Sequence, residues 1–177
     1  MTSADPAPPS ASLRVRQRAA ALITQNGRVL LHQLYGDTFW ALPGGAIEPG
    51  ESAAQAVARE LHEELGADLG APISVGALAV VAENFFSHAG VGYHEIGLYL
   101  HASPLPGNPL VLTGGPYDGV EGSRRLVFAW FNGDDMDERD IRPAFLREYL
   151  RGLLAGGPKG VLHIVHRDGP VHQTSVG

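Results

Sequence analysis

The chain has 177 residues, 44% of them hydrophobic and 18% charged, with a formal net charge of −6. This balance fits one globular domain with a core of its own rather than a disordered chain, and the acidic excess argues against a broad nucleic-acid interface. The absence of cysteine excludes disulfides and thiolate metal sites and suits a reducing compartment.

Residues 1–12 are mostly Ala, Pro and Ser, with one Asp. They lack the basic start and apolar centre of a signal peptide, so they read as a disordered tail. No apolar run approaches membrane-spanning length, and a cytoplasmic location is the default expectation. Strand-like runs follow at Arg18–Thr24 and Val29–His32, joined by the hairpin signal Gln25-Asn26-Gly27. The Pro43-Gly44-Gly45 segment reads as a loop that lets a ligand approach the main chain.

A helix is predicted from Ala53 to Leu65. Ser52 with Gln55 forms a capping box at its start, and Gly66 supplies the stop. At roughly 100° per residue, Ala54, Val57, Ala58, Leu61 and Leu65 share one stripe, a buried face. Glu60, Glu63 and Glu64 fall together beside it. Like charges at this spacing oppose helix formation, and acids near the C-terminal end oppose the helix dipole. Solvation accounts for most acidic helix faces, and Glu63 has Arg59 as an ordinary i+4 partner. Glu60 and Glu64 have only each other at that spacing, which favours a bound cation. Hard oxygen donors suit Mg²⁺, with Mn²⁺ as a substitute.

Further strands are predicted at Val75–Ala82, His94–His101, Leu126–Phe131 and Val161–His166. A second helix is predicted from Pro143 to Leu154, with Phe145, Leu146, Tyr149, Leu150 and Leu153 on one face. The intervening residues 112–123 read as an extended loop able to cover a substrate. The eight histidines form no close pair on one element, which argues against an imidazole metal site. Two amphipathic helices and a sheet make a sandwich with a helix on each face. The expected organisation is one domain over 13–167 and a C-terminal tail over 168–177.

The stretch from Gly45 to Ala67 resembles the box of the Nudix hydrolases. Gly45, Glu51, Arg59, Glu60, Leu61, Glu63, Glu64 and Gly66 stand at its specified positions, gapless and in order. Ala67 departs mildly, being smaller than the usual closing aliphatic residue. The resemblance implies an α+β fold, the Nudix-type α/β/α sandwich with a central mixed β-sheet. It also implies Mg²⁺-dependent hydrolysis of the diphosphate linkage in a nucleoside diphosphate derivative by metal-activated water. By that resemblance Glu60 and Glu64 are the main metal carboxylates, with Glu63 beside them. The carbonyl of Gly45, or of its neighbour Gly44, adds an oxygen, and Arg59 with Glu51 orients loop and helix. Glu63 or Glu60 is the expected proton acceptor.

The implied partner is a small nucleoside diphosphate compound (a nucleotide, nucleotide sugar or dinucleotide) rather than a nucleic-acid polymer or a membrane. A homodimer is compatible with this reading. Arg18, Phe85 and Glu121 are the residues outside the box assigned to substrate contact, while Glu83 and Glu95 read as surface or strand-edge acids. A second reading is a Nudix-fold nucleotide-binding regulator without catalysis, against which the electrostatically costly glutamate trio argues.

Overall fold

The computed structural model describes residues 13–70, 72–112 and 114–168. The tail expected at residues 1–12 lies outside them, as does the C-terminal tail apart from Asp168. That residue still belongs to the sheet edge, because its amide donates to the Phe85 carbonyl at 2.8 Å.

The chain runs β1 (Arg14–Gln25), β2 (Arg28–Leu34), β3 (Phe39–Trp40), β4 (Gly44–Ala46), α1 (Ala53–Gly70), β5 (Ile73–His88) and β6 (Val91–Pro104). It continues with α2 (Pro109–Leu112), β7 (Tyr117–Glu121), β8 (Arg124–Phe131), β9 (Asp140–Ile141), α3 (Phe145–Leu154) and β10 (Leu162–Arg167). A single 3-10 turn at Asp135–Glu138 precedes β9. The main sheet is ordered β10-β5-β6-β1-β2-β8-β7, with β4 paired to β1. It is mixed: β1 runs parallel to β6, and β10 parallel to β5, while the remaining pairs are antiparallel.

The alternation along β1 builds two cores. Ala19, Ala21 and Ile23 face the side covered by α1, together with Leu30, Val57, Leu61, Leu65, Leu126 and Phe128. Ala20 and Leu22 face the opposite side with Val29, Leu31, Leu146 and Leu150 of α3. A strand buried on both faces reads as a continuous apolar run, which is how residues 19–23 appear in the sequence. The expected sandwich with one helix on each face is therefore present. Among the described residues no helix is long and apolar enough to cross a membrane.

The Asn26-Gly27 hairpin forms as expected, with φ of 50° and 71° at the two turn residues. The capping box also forms: Ser52 N–H donates to Gln55 Oε1 at 2.9 Å and Gln55 N–H to Ser52 Oγ at 3.3 Å. Gly66 leaves the helical conformation at φ 77°, ψ 173°, and a short further turn carries α1 to Gly70.

Three expectations are corrected. Residues 44–46 are not only a loop but strand β4, because Gly44 and Gly45 pair with Ala20 and Ala19. A Cβ at Gly44 would fall on the Ala19 carbonyl, so glycine is what permits this approach. Residues 112–123 are not one extended loop: Tyr117–Glu121 pairs antiparallel with β8 around a turn at Gly122. One glycine and two charged residues in five hid a strand whose stability is tertiary. Finally, α1 is rolled toward its acidic flank. Ala58 is exposed and Glu64 is buried, whereas the stripe in the sequence placed Ala58 inside.

Candidate active site

Arg59 is the hub that joins loop to helix. Its Nε and one terminal nitrogen make a fork on the two Glu51 oxygens, both at 2.9 Å. The same terminal nitrogen reaches the Ala46 carbonyl at 2.9 Å. The other donates to Glu60 Oε1 at 2.9 Å and to Glu63 Oε2 at 3.3 Å. Glu51 closes its own loop by accepting from Glu48 N–H at 3.1 Å. The planar guanidinium suits this task because its donors are fixed in direction. The fork holds the Glu51 carboxyl below the ordinary carboxylate range, and the same fork raises Arg59 further above its own.

Glu60 stands in the opposite condition. Burial pushes its carboxyl up; the Arg59 hydrogen bond opposes this, and the nearby Glu64 charge adds to it. Gly45 is what lets Glu60 lie where it does, since a Cβ at that position would fall on the Glu60 carboxylate. Glu64 is only 3% exposed, and its Oε2 has no hydrogen-bond partner among the described residues. Glu63 is the open member of the trio, with 57% of its side chain exposed.

Two carboxylates held side by side out of water, Glu64 with no arginine or lysine partner among the described residues, are costly unless a cation joins them. Glu60, Glu64, Glu63 and the Gly45 main chain offer hard oxygen donors, the kind Mg²⁺ prefers. Among the described residues no group of three or more His, Asp or Glu side chains is gathered to hold an ion by itself.

The residues assigned to substrate contact are dispersed. Arg18 donates to the Leu42 carbonyl at 3.1 Å, bracing the segment that leads into β4. Phe85 is stacked on His94, ring centroids 4.2 Å apart, with the Arg167 guanidinium 3.8 Å from its own centroid. Glu121 is exposed at the end of β7, opposite Arg124 in register, and no hydrogen bond or ion pair among the described residues links it to α1. Glu95 corrects the surface-acid reading: it is 2% exposed and pairs with Arg16 Nε at 2.6 Å. Glu83 lies between His163 Nε2 at 2.9 Å and His94 Nε2 at 3.3 Å, a meeting of three strands. Sequence reasoning missed His32, whose Nδ1 is 3.4 Å from Glu64 Oε2. The signal was present, for His32 follows Leu30 by two on β2 and so shares the face beneath α1.

The NUDIX domain model matches residues 14–151. The chain belongs to the Nudix family. It is 34% identical over 98 residues to the CTP pyrophosphohydrolase of Escherichia coli (strain K12), covering 53% of this chain and 64% of that protein. It is 45% identical over 49 residues to the RNA pyrophosphohydrolase of Legionella pneumophila (strain Corby), covering 28% of each. The chain thus spans less than two thirds of these curated relatives. Among solved structures the fold is similar to that of a UDP-X diphosphatase, with TM-score 0.58, 20% identity, and 89% of this chain and 70% of that one covered. It is likewise similar to a MutT NUDIX hydrolase from Burkholderia pseudomallei, with TM-score 0.55, 24% identity and coverage of 77% and 98%.

Proposed function

We propose that this Nudix protein is a pyrophosphohydrolase that cleaves the diphosphate linkage of a small nucleoside diphosphate derivative. The observation that carries this reading is the Glu64 carboxylate, 3% exposed beside the desolvated Glu60 and without an arginine or lysine partner among the described residues. Nothing in helix stability favours that pair, and a divalent ion would offset its cost. Glu60, Glu64 and the Gly45 carbonyl would hold Mg²⁺ or Mn²⁺, with Glu63 beside them. The bound ion supplies neutralisation of the phosphoryl oxygens and a more acidic water.

The chain's own groups do the rest. Arg59, tied to Glu51 and to Ala46, holds Glu60 and the β4 backbone in one frame, so the donors do not reorganise as charge develops. Glu63, mostly exposed and held among the described residues by one 3.3 Å contact to Arg59, is the carboxylate free to accept the proton of the attacking water. The relatives named for CTP and for RNA support a nucleotide-type substrate, and the net charge of −6 favours the small one over a polymer.

The test is a panel of nucleoside triphosphates, nucleotide sugars, dinucleotides and a 5′-triphosphorylated RNA, assayed with and without Mg²⁺ and read by product mass. Metal-dependent release of a nucleoside monophosphate from a small substrate is expected. Binding without turnover across the whole panel would favour the regulator instead, and preference for the RNA would overturn the small-substrate reading.

A further inference from the structure

The Glu64 carboxylate faces a side chain from β2 that lies outside the Nudix box. His32 Nδ1 is 3.4 Å from Glu64 Oε2, and both atoms are buried without a hydrogen-bond partner. The spacing is just beyond a good N–H···O bond. A small rotation of either side chain closes it, and that contact would satisfy both orphaned atoms.

The imidazole is held in place from two directions. Its backbone exchanges two hydrogen bonds with Ala41, each 2.9 Å. Its ring packs tilted on Phe128, centroids 5.4 Å apart, and Phe128 is its register partner on β8. The Glu64 backbone is held from the other side, since Gly119 of β7 packs so closely that a Cβ there would touch the Glu64 main-chain carbonyl and the Phe128 ring. Helix, β2, β7 and β8 therefore meet around the Glu64–His32 pair.

We propose that His32 is a positioning residue for Glu64, with the proton on Nδ1 donated to Oε2 so that the other carboxylate oxygen is presented to the cation. This rests on the reading of Glu64 as a metal ligand. A ligating carboxylate whose far oxygen is hydrogen-bonded is fixed in direction, and removing such a partner typically lowers metal affinity about 10–100-fold. Asparagine reproduces the donor, because its Nδ2 occupies nearly the position of Nδ1. Phenylalanine and leucine keep apolar bulk against Phe128 without it.

The experiment titrates Mn²⁺ into the full metal-free chain, reading free ion by electron paramagnetic resonance and the metal-free thermal midpoint in parallel. His32→Phe is expected to weaken Mn²⁺ binding about 10–100-fold without lowering the metal-free midpoint. His32→Leu serves the same purpose should the phenylalanine variant not fold, and His32→Asn is expected to bind close to wild type. Wild-type affinity in the apolar variant overturns the proposal. So does a nitrogen hyperfine coupling on bound Mn²⁺ that vanishes with His32, which would make the imidazole a ligand. Glu64→Gln separates the two levels: undiminished Mn²⁺ binding there would remove the metal reading of Glu64 itself, whereas weakened binding there with normal binding in His32→Phe would remove only the role of His32.

Discussion

Arg59 donates to Glu51, Glu60, Glu63 and the Ala46 carbonyl, whereas Glu64 Oε2, one turn further along the helix, accepts from no described residue. One side chain is a structural clamp, and the other is a buried carboxylate with no arginine or lysine partner among the described residues. The two make different predictions. Glu64→Gln is expected to cut turnover more than about 100-fold while leaving the metal-free thermal midpoint unchanged or raised, because a buried negative charge is removed. Turnover within a few-fold of wild type would refute the metal role.

The pH dependence of the metal-free protein separates Glu60 from Glu51 by sign. Burial raises the Glu60 carboxyl above the ordinary 4.5, so the folded state binds that proton more tightly than the unfolded chain. Its contribution is fully present below 4.5 and is lost as pH rises through the raised folded value. Glu60→Gln is therefore expected to raise the midpoint in chelator at neutral pH, with the gain vanishing as pH falls below 4.5. Glu51 is lowered by the Arg59 fork, so its contribution is present above 4.5 and lost as pH falls through the lowered value. Glu51→Gln is expected to lower the midpoint at neutral pH. Thermal scans of both variants across that range check the two signs.

At the scale of elements, the site is the junction of β4 with α1. Backbone pairing of Gly44 and Gly45 with β1 brings the loop under the helix, and the missing side chain at Gly45 leaves room for the Glu60 carboxylate. Gly45→Ala is expected to displace the flexible end of Glu60, weakening Mn²⁺ binding and activity while the fold survives. Equal affinity in a calorimetric titration would count against it. Gly44→Ala is the contrasting case: φ is +137° and the obstruction is the backbone of β1, so loss of the folded state is expected, read by circular dichroism.

For the molecule as a whole, two cores share one sheet, and the glutamates lie on the α1 side only. Leu150 is fully buried on the α3 side. Leu150→Ala is expected to cost about 2–5 kcal/mol of stability, measured by denaturant unfolding, with turnover below the midpoint little changed. Loss of activity in proportion to stability would mean that the two cores are coupled through the sheet.

Local chemistry made much of this legible in the chain itself. The capping box, the Gly66 stop, the Asn26-Gly27 hairpin and the apolar face of α3 depend on neighbours a few residues apart, and each stands where the spacing put it. The clustering of Glu60, Glu63 and Glu64 beside Arg59 belongs to the same class, because helical geometry alone brings them together. What tertiary structure decided was long-range: the strand made of glycines 44 and 45, the strand at 117–121, and the pairing of Glu95 with Arg16 across β1 and β6. It also decided the roll of α1, which turned Ala58 outward and Glu64 inward over His32. Periodicity fixes which residues share a face, but only the packing partner sets how far that face is turned, and here the turn is what buries a charge.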